Sequence, residues 1–493
     1  MKAVTYCGAR SGVEELRSKG ESIVRNRTHS RGTRWLAISG VAAMCVVAVA
    51  CGSDSKASDT VAVPAGSAAP ASAAPTDTGA PDVTTAAAET TAATGASSCG
   101  AVGDKGTIEV FLIPSPSSTS IQSFIPAFEE KTCIKVNFSE TPYGEAHQKQ
   151  LLAYQQGDGQ FDVAQFDNTF LAPFGAAKAM TPLDDFLAKS TEYDIADFAK
   201  GQQDYGKYNG ETLGLTLSTE PMIQWFRTDI YDELGLKPAT TWDEFLANAK
   251  AVKESGKGDG VLMGFGPNVS WWFMTLVWSF GGHLYDDNLK PTVNTPEAVK
   301  ATEYLKSLLP YAPDGAITAN GDDVMFKFLA QDIGAILNYS GYFGATLDPA
   351  ANKFQGKIGT APMPKGAADI THLAGWNIGI PADSKNKEQA WQFLEFVLGQ
   401  SNAKAYLESG AAAIGRNSIT SDTALVDTQP YLKLLTIPSS SRIERYPQLK
   451  VWPEMDVAIT QAITAILSDQ TGVQAGLDKL NDDLGPILAA EKG

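Results

Sequence analysis

At 493 residues the chain is long enough for two domains or more, and 43% hydrophobic with 19% charged residues is an ordinary globular composition with room for a sizeable core. The formal charge is −17, and because residues 1–50 carry eight Lys/Arg and three Glu, a net of +5, the remainder holds −22. So acidic a body argues against binding to nucleic acid or to anionic lipid heads.

Trp35 to Ala50 is a mostly apolar run of 16 residues, preceded by Arg25, Arg27, Arg31 and Arg34 and closed by Ala48-Val49-Ala50-Cys51-Gly52. The run is short for a membrane span, and the order of basic, apolar and small residues predicts a secretory signal over residues 1–50. Small residues directly before a Cys resemble the bacterial lipobox, which implies Cys51 as the lipidated first residue of the mature protein. Ala48 stands where that motif usually has Leu. A plain anchor helix with an incidental Cys is the alternative. The region before Arg25 is long for a signal, and a start further in, for example at Val24, is a second option.

Residues 51–98 form an Ala/Thr/Ser/Pro-rich stretch with no aromatic residue. It cannot bury enough apolar surface to offset its ordering entropy, so a disordered tether is expected, with a root-mean-square span of roughly 35–40 Å. That length would hold a folded body clear of a membrane.

The folded part begins near Cys99. Thr107–Ile113 reads as a strand, Ile121, Phe124, Ile125 and Phe128 as a helical stripe, and Ile134–Phe138 as a second strand. A helix over about Glu145–Gln156 and a strand Phe161–Phe166 complete a β-α-β-α-β run, which predicts a parallel sheet with ligands at the carboxyl ends of its strands. Thr212–Leu217 and Met222–Phe226 read as two strands around the break Ser218-Thr-Glu-Pro221. Thr241 with Glu244 has the shape of a capping box. Further along come Gly260–Phe265 (strand), Ser270–Phe280, Pro296–Leu309 and Asp322–Ala330 (helices), then Ile333–Asn338 and Lys357–Ala361 (strands). After a short apolar strand around Trp376 the chain is mostly helical, ending in Thr471–Ala490.

Five cysteines fall at 7, 45, 51, 99 and 133, spaced as no zinc or redox motif is. Only Cys99 and Cys133 belong to the exported body, where an oxidising compartment makes a disulfide the expectation and two free thiols the alternative.

Leu373-Ala-Gly-Trp-Asn-Ile-Gly-Ile-Pro381, followed by Ser-Lys-Asn-Lys-Glu-Gln-Ala-Trp-Gln-Phe-Leu, resembles the late signature of the extracellular solute-binding proteins of ABC sugar importers. Phe161–Asp167 with Met180-Thr-Pro-Leu-Asp-Asp185, Trp225–Phe245, Trp278-Ser-Phe-Gly-Gly282, Asn338-Tyr-Ser-Gly341 and Gly415-Arg-Asn-Ser418 match the same family in the same order. The resemblance implies a two-lobed α/β fold of the maltose-binding-protein-like class II type, with interleaved lobes joined by a hinge. Lobe 1 is then expected over 99–217 and 375–445, and lobe 2 over 218–374 and 446–493, with crossings near Ser218, Ala374 and Tyr446-Pro447. It further implies a monomer, lipid-anchored to the outer face of a bacterial cell membrane, that captures a sugar and presents it to permease subunits of an ABC transporter. Neither nucleic acid nor a cofactor is expected as a partner.

Sugars ask for carboxylates and amides, which satisfy neighbouring hydroxyls, and for flat aromatic faces that cover pyranose C–H groups. Asp167 and Asn168 follow a strand, Glu220 lies at a crossing, and Asn338 ends another strand; each has a helix-cap or turn role as its alternative. The resemblance assigns Trp376 to stacking on the ligand, a core position being the alternative. Trp271, Trp272, Tyr339 and Tyr342 are the other aromatic candidates, with at least one of the adjacent tryptophans expected in the core because neighbouring helix positions face about 100° apart. Arg416 is a candidate for a ligand hydroxyl or carboxylate, or for a structural ion pair. His147, His283 and His372 are isolated in the body, and neither a nucleophile elbow nor a phosphate loop appears, so no catalytic residue and no metal site is expected. An extracellular enzyme on the same two-lobed fold is the alternative function.

Overall fold

A computed structural model describes Cys99 and residues 105–198, 202–410, 415–429, 431–435 and 441–492. The expected signal, the tether and Cys51 lie outside the described residues.

The first three strands, β1 (Thr107–Leu112), β2 (Lys135–Glu140) and β3 (Val163–Asp167), pair in parallel in the order β2-β1-β3. The helix Pro116–Thr132 returns the chain between β1 and β2. Its start is fixed by Ser115 and Ser118, each capping the other's amide, and by Pro116 in the first turn, while Ile121, Ile125 and Phe128 form its buried stripe. It ends at Cys133, in the left-handed region at φ 65°, and Cys133 is bridged to Cys99 with their Cα atoms 5.2 Å apart. The helix Tyr143–Gln156 makes the second crossover.

A two-stranded ribbon, β4 (Lys207–Tyr208) and β5 (Glu211–Thr212), turns on Asn209 and Gly210, both at positive φ. Asn-Gly is a strong short-range hairpin signal, and this hairpin was not anticipated from the sequence. β6 (Leu215–Arg227) then runs for 13 residues without interruption. The two strands expected around a break at Ser218–Pro221 are therefore one. Pairing with β10 (Ile370–Gly379) ends at Pro221, whereas pairing with β8 (Ile333–Tyr339) begins at Met222 and with β9 (Ile358–Pro362) at Ile223. The proline falls at this handover, where a missing ladder N–H costs least.

β7 (Asp259–Leu262) lies parallel to β8 at the far edge, and β11 (Arg442–Glu444) pairs in parallel with the start of β10. The sheet reads β2-β1-β3-β10-β6-β8-β7, with β9 on β6 and β11 on β10. Thr241 caps the helix Trp242–Glu254 with a capping box to Glu244, as its spacing predicts.

Buried apolar residues collect on either side of the two long strands. Ile108 to Leu217 and Ile378 to Tyr406 supply two adjoining clusters at one end of the sheet. Met222 to Ala374 and Tyr446 to Leu488 supply a larger one at the other, where the helices Val269–Ser279, Pro296–Leu308, Trp452–Leu467 and Val473–Glu491 pack together. Each half of β6 and each half of β10 belongs to a different core.

Candidate functional site between the two cores

β10 lies between β3 and β6 where the cores meet, and its Trp376 is directly opposite Asp167 on one side and Ser218 on the other. Cross-strand partners share a sheet face, and so do residues two apart along a strand, so Asp167, Trp376, Ser218 and Glu220 stand in one row. Gly375 makes the close approach of the strands feasible. A Cβ there would lie 2.2 Å from the Ser218 carbonyl oxygen. The pairing register shifts between Trp376 and Asn377, leaving Leu217 of β6 without a partner on β10.

Trp376 is half-buried, packs against both clusters of its end of the sheet, and meets the Tyr143 ring edge-on at 5.8 Å. Asp167 ends β3 and caps the helix Asn168–Ala176, its Oδ1 accepting from the Thr169 amide at 2.7 Å. Burial pushes its carboxyl up to about 6, with the Asp456 charge adding and the Thr169 amide opposing. Glu220 is buried against Gly341, where a Cβ would come within 2.3 Å of its carboxylate, and it accepts from the Ser218 hydroxyl at 2.6 Å. Burial raises it to about 7, helped by the Asp167 charge. Asp456, from the helix Trp452–Leu467 of the other core, accepts from Ser270 Oγ at 2.5 Å and is raised by burial to about 6.

Around these carboxylates stand neutral phenols and an indole. The hydroxyls of Tyr339 and Tyr446 are 2.8 Å apart, and the Trp271 ring lies 5.9 Å from the former and 6.1 Å from the latter. The Tyr205 side chain is fully buried and its hydroxyl has no hydrogen-bond partner. Burial and the Asp167 charge hold Tyr143, Tyr205, Tyr339 and Tyr446 well above the usual phenol range, so each stays protonated.

Of the residues expected at a site, Asp167, Glu220, Trp271, Tyr339 and Trp376 come together here. Tyr342 stands at the margin, donating to Asp322 at 2.5 Å while sensing the Glu220 charge. Four others are held elsewhere. Trp272 is wholly buried, with Nε1 donating to the Leu337 carbonyl at 3.1 Å, and is the core member of its pair. Asn338 uses both ends of its amide internally, on the Gly321 carbonyl and the Tyr339 amide, each at 2.9 Å. Asn168 donates to the Tyr205 carbonyl and accepts from Gln448, also at 2.9 Å, so it positions the tyrosine that faces the carboxylates. Arg416 is fully buried, donating to the Leu398 carbonyl at 2.7 Å, pairing with Asp197 at 3.3 Å and lying 4.4 Å from the Phe198 ring. It takes the ion-pair alternative. His372 is likewise a core residue, with Nδ1 2.7 Å from the Thr275 hydroxyl and burial holding its ring neutral by depressing its pKa to about 3.

Tyr143, Tyr205, Tyr446 and Asp456 were missed. Asp456 carried a usable signal, standing four residues after Trp452 and three before Ile459, on a stripe that is otherwise apolar and buried.

The family described as bacterial extracellular solute-binding protein matches residues 114–404. A probable amino-acid ABC transporter periplasmic-binding protein of Sinorhizobium fredii is 25% identical over 71% of this chain and 82% of its own length. A mannitol-binding protein of Pseudomonas aeruginosa is 24% identical over 64% of this chain and 74% of its own. Among solved structures, an ABC transporter solute-binding protein from Agrobacterium radiobacter in complex with ribitol superposes with a TM-score of 0.71 at 22% identity, over 78% of this chain and 99% of that one. This likeness shows a shared two-lobed α/β fold. Among the described residues, no helix is long and apolar enough to cross a membrane.

Proposed function

The chain belongs to the bacterial extracellular solute-binding proteins, and from that premise we propose that it captures a sugar, mono- or oligosaccharide or polyol, between its lobes and delivers it to the permease of an ABC importer. The observation that carries this reading is the row Asp167–Trp376–Ser218–Glu220, an aromatic face flanked by hydrogen-bonding groups at the seam between two cores. Mannitol in the name of one relative and ribitol in the complex of another fit the same donor and acceptor set.

Lobe 1 comprises 99–217 and 375–445, lobe 2 comprises 218–374 and 446–493, and rotation about β6 and β10 opens and closes the site. The site residues bind and orient; none is assigned a catalytic step, and the bridge between Cys99 and Cys133 leaves the body no thiol nucleophile. Cys51 bears the lipid anchor, and the monomer hangs from it on the tether. Labelled fatty acid incorporating into a Cys51→Ala variant would refute that attachment.

A thermal-shift screen of the purified protein against sugars and polyols tests the main reading. A true solute at about 100 times its dissociation constant stabilises by about 2.7 kcal/mol. A flat response to every sugar and polyol would overturn the assignment.

A further inference from the structure

Three carboxylates meet at the seam, each from a different element: Asp167 at the end of β3, Glu220 in β6 and Asp456 in the helix Trp452–Leu467. The hydrogen bonds described for them come from neutral donors, the Thr169 amide and the Ser218 and Ser270 hydroxyls. They sense one another, since Asp456 disfavours ionisation of Asp167, and Asp167 that of Glu220. Asp167 belongs to one core and Asp456 to the other, so bringing the lobes together brings like charges together. Coulomb repulsion across a partly desolvated gap of this kind is much less screened than at a surface.

Arg445 acts on Tyr205 and lies over its ring. Its guanidinium lies 5.9 Å from that ring and donates to the Asp204 carbonyl at 3.4 Å. A second, independent feature is the Tyr205 hydroxyl, wholly buried, without a partner, and within the field of both Asp167 and Glu220. An unpaired buried hydroxyl is costly unless a ligand completes it, and this phenol can accept from a ligand donor as well as donate.

A metal ion does not fit this arrangement: among the described residues no three acidic, His or Cys side chains converge closely enough to hold one. Aromatic rings stand at the same seam, Trp376 against Tyr143 and Trp271 against Tyr339 and Tyr446. Aromatic faces and spaced carboxylates together favour a polyatomic organic cation.

We propose that the solute carries a cationic nitrogen: an amino-substituted sugar or polyol whose ammonium group sits among Asp167, Glu220 and Asp456 with the Tyr205 oxygen as a further acceptor. The assignment rests on the reading of this seam as the sugar site and narrows its ligand class. A neutral sugar supplies donors to the carboxylates but leaves their mutual repulsion in place. An ammonium group supplies donors and cancels charge, which is what closure across this gap requires.

Matched series decide the matter: glucosamine with glucose and N-acetylglucosamine, galactosamine with galactose and N-acetylgalactosamine, and glucamine with glucitol, each titrated calorimetrically at pH 7 after a thermal-shift screen. The amine of at least one series should bind roughly tenfold or more tighter than both neutral counterparts, as for a charge-assisted over a neutral hydrogen bond. Asp456→Asn should erase most of that preference, and so should Asp167→Asn, which keeps a residue able to cap the following helix. A preference that survives both substitutions overturns the proposal. Neutral sugars binding as tightly as the amines would overturn it while leaving sugar capture standing. No binding by any member of any series would overturn the proposal for these scaffolds, while sugar capture itself stands or falls on the wider sugar and polyol screen.

Discussion

Trp376 on β10 and Asp167 on β3 are direct antiparallel partners, so the ring and the carboxylate emerge side by side on one face of the sheet where the two cores join. The strand that carries Trp376 also runs from one core into the other, which couples its position to both. Replacing Trp376 with Ala should weaken solute binding by roughly two powers of ten or more, from lost stacking and apolar area. The side chain is half-buried and packs on two clusters, so a stability loss of roughly 1–3 kcal/mol should accompany it. Calorimetric titration and melting of the same variant separate the effects. Unchanged affinity with a collapsed melting point would make Trp376 a core residue.

Gly375 holds β10 against β6. With a Cβ only 2.2 Å from the Ser218 carbonyl oxygen and φ at 151°, Gly375→Ala must push the crossing strands apart. A loss of roughly 2–4 kcal/mol is expected, together with weaker solute binding. Gly485 is the control, since it lies in the helix Val473–Glu491 with open space where its Cβ would go. Gly485→Ala should stabilise by roughly 0.5–1 kcal/mol. Equal melting temperatures for the two variants would contradict the packing at the crossing.

Much of the fold was legible because period and caps are local. The alternation of Thr107–Leu112, the stripe Ile121, Ile125, Phe128 and the Thr241–Glu244 box all report on neighbours within a turn or a pleat. The continuity of β6 through Pro221 was not legible, because it depends on β8, β9 and β10 arriving from far along the chain. The site was half legible for the same reason. Asp167 and Trp376 occupy strand ends and crossings that the motifs mark. The fates of Asn168 and Asn338 were decided by Gln448 and Gly321, remote in sequence, which use up their amides. That Trp271 and Trp272 face different ways follows from the helix; which one is buried follows only from the Leu337 carbonyl that meets Trp272.

The bridge between Cys99 and Cys133 ties the residue preceding the folded body to the end of the first crossover helix, closing 34 residues of chain. The chain-entropy relation gives about 4 kcal/mol for a loop of this size. Cys133→Ala should therefore lower the denaturation midpoint by about that free energy without changing solute affinity, since the bridge is remote from Trp376 in the sheet order. Thiol titration of the unfolded, unreduced body should find neither cysteine free. Two reactive thiols would restore the possibility of cysteine chemistry on this fold.

The seam carboxyls of the unliganded protein contribute stability that should fall as pH rises from about 4 to 7, while buried neutral His372 contributes stability that rises over the same range. Burial raises Asp167 and Asp456 to about 6 and Glu220 to about 7, so the folded state holds protons that the unfolded chain has already released in this range. A carboxyl raised on folding contributes stability that is complete below its unfolded pKa and lost as pH climbs through its folded one. For Glu220, a rise from 4.5 to about 7 amounts to at most about 3 kcal/mol between those limits. Glu220→Gln removes the proton linkage while keeping an acceptor for the Ser218 hydroxyl, so its melting temperature should rise relative to that of the unaltered protein between pH 4 and pH 7. The gap between the two proteins should be widest at pH 7, with the variant the more stable. Denaturant midpoints across the pH series check this, and parallel curves would mean that Glu220 is not held in the desolvated position the structure gives it.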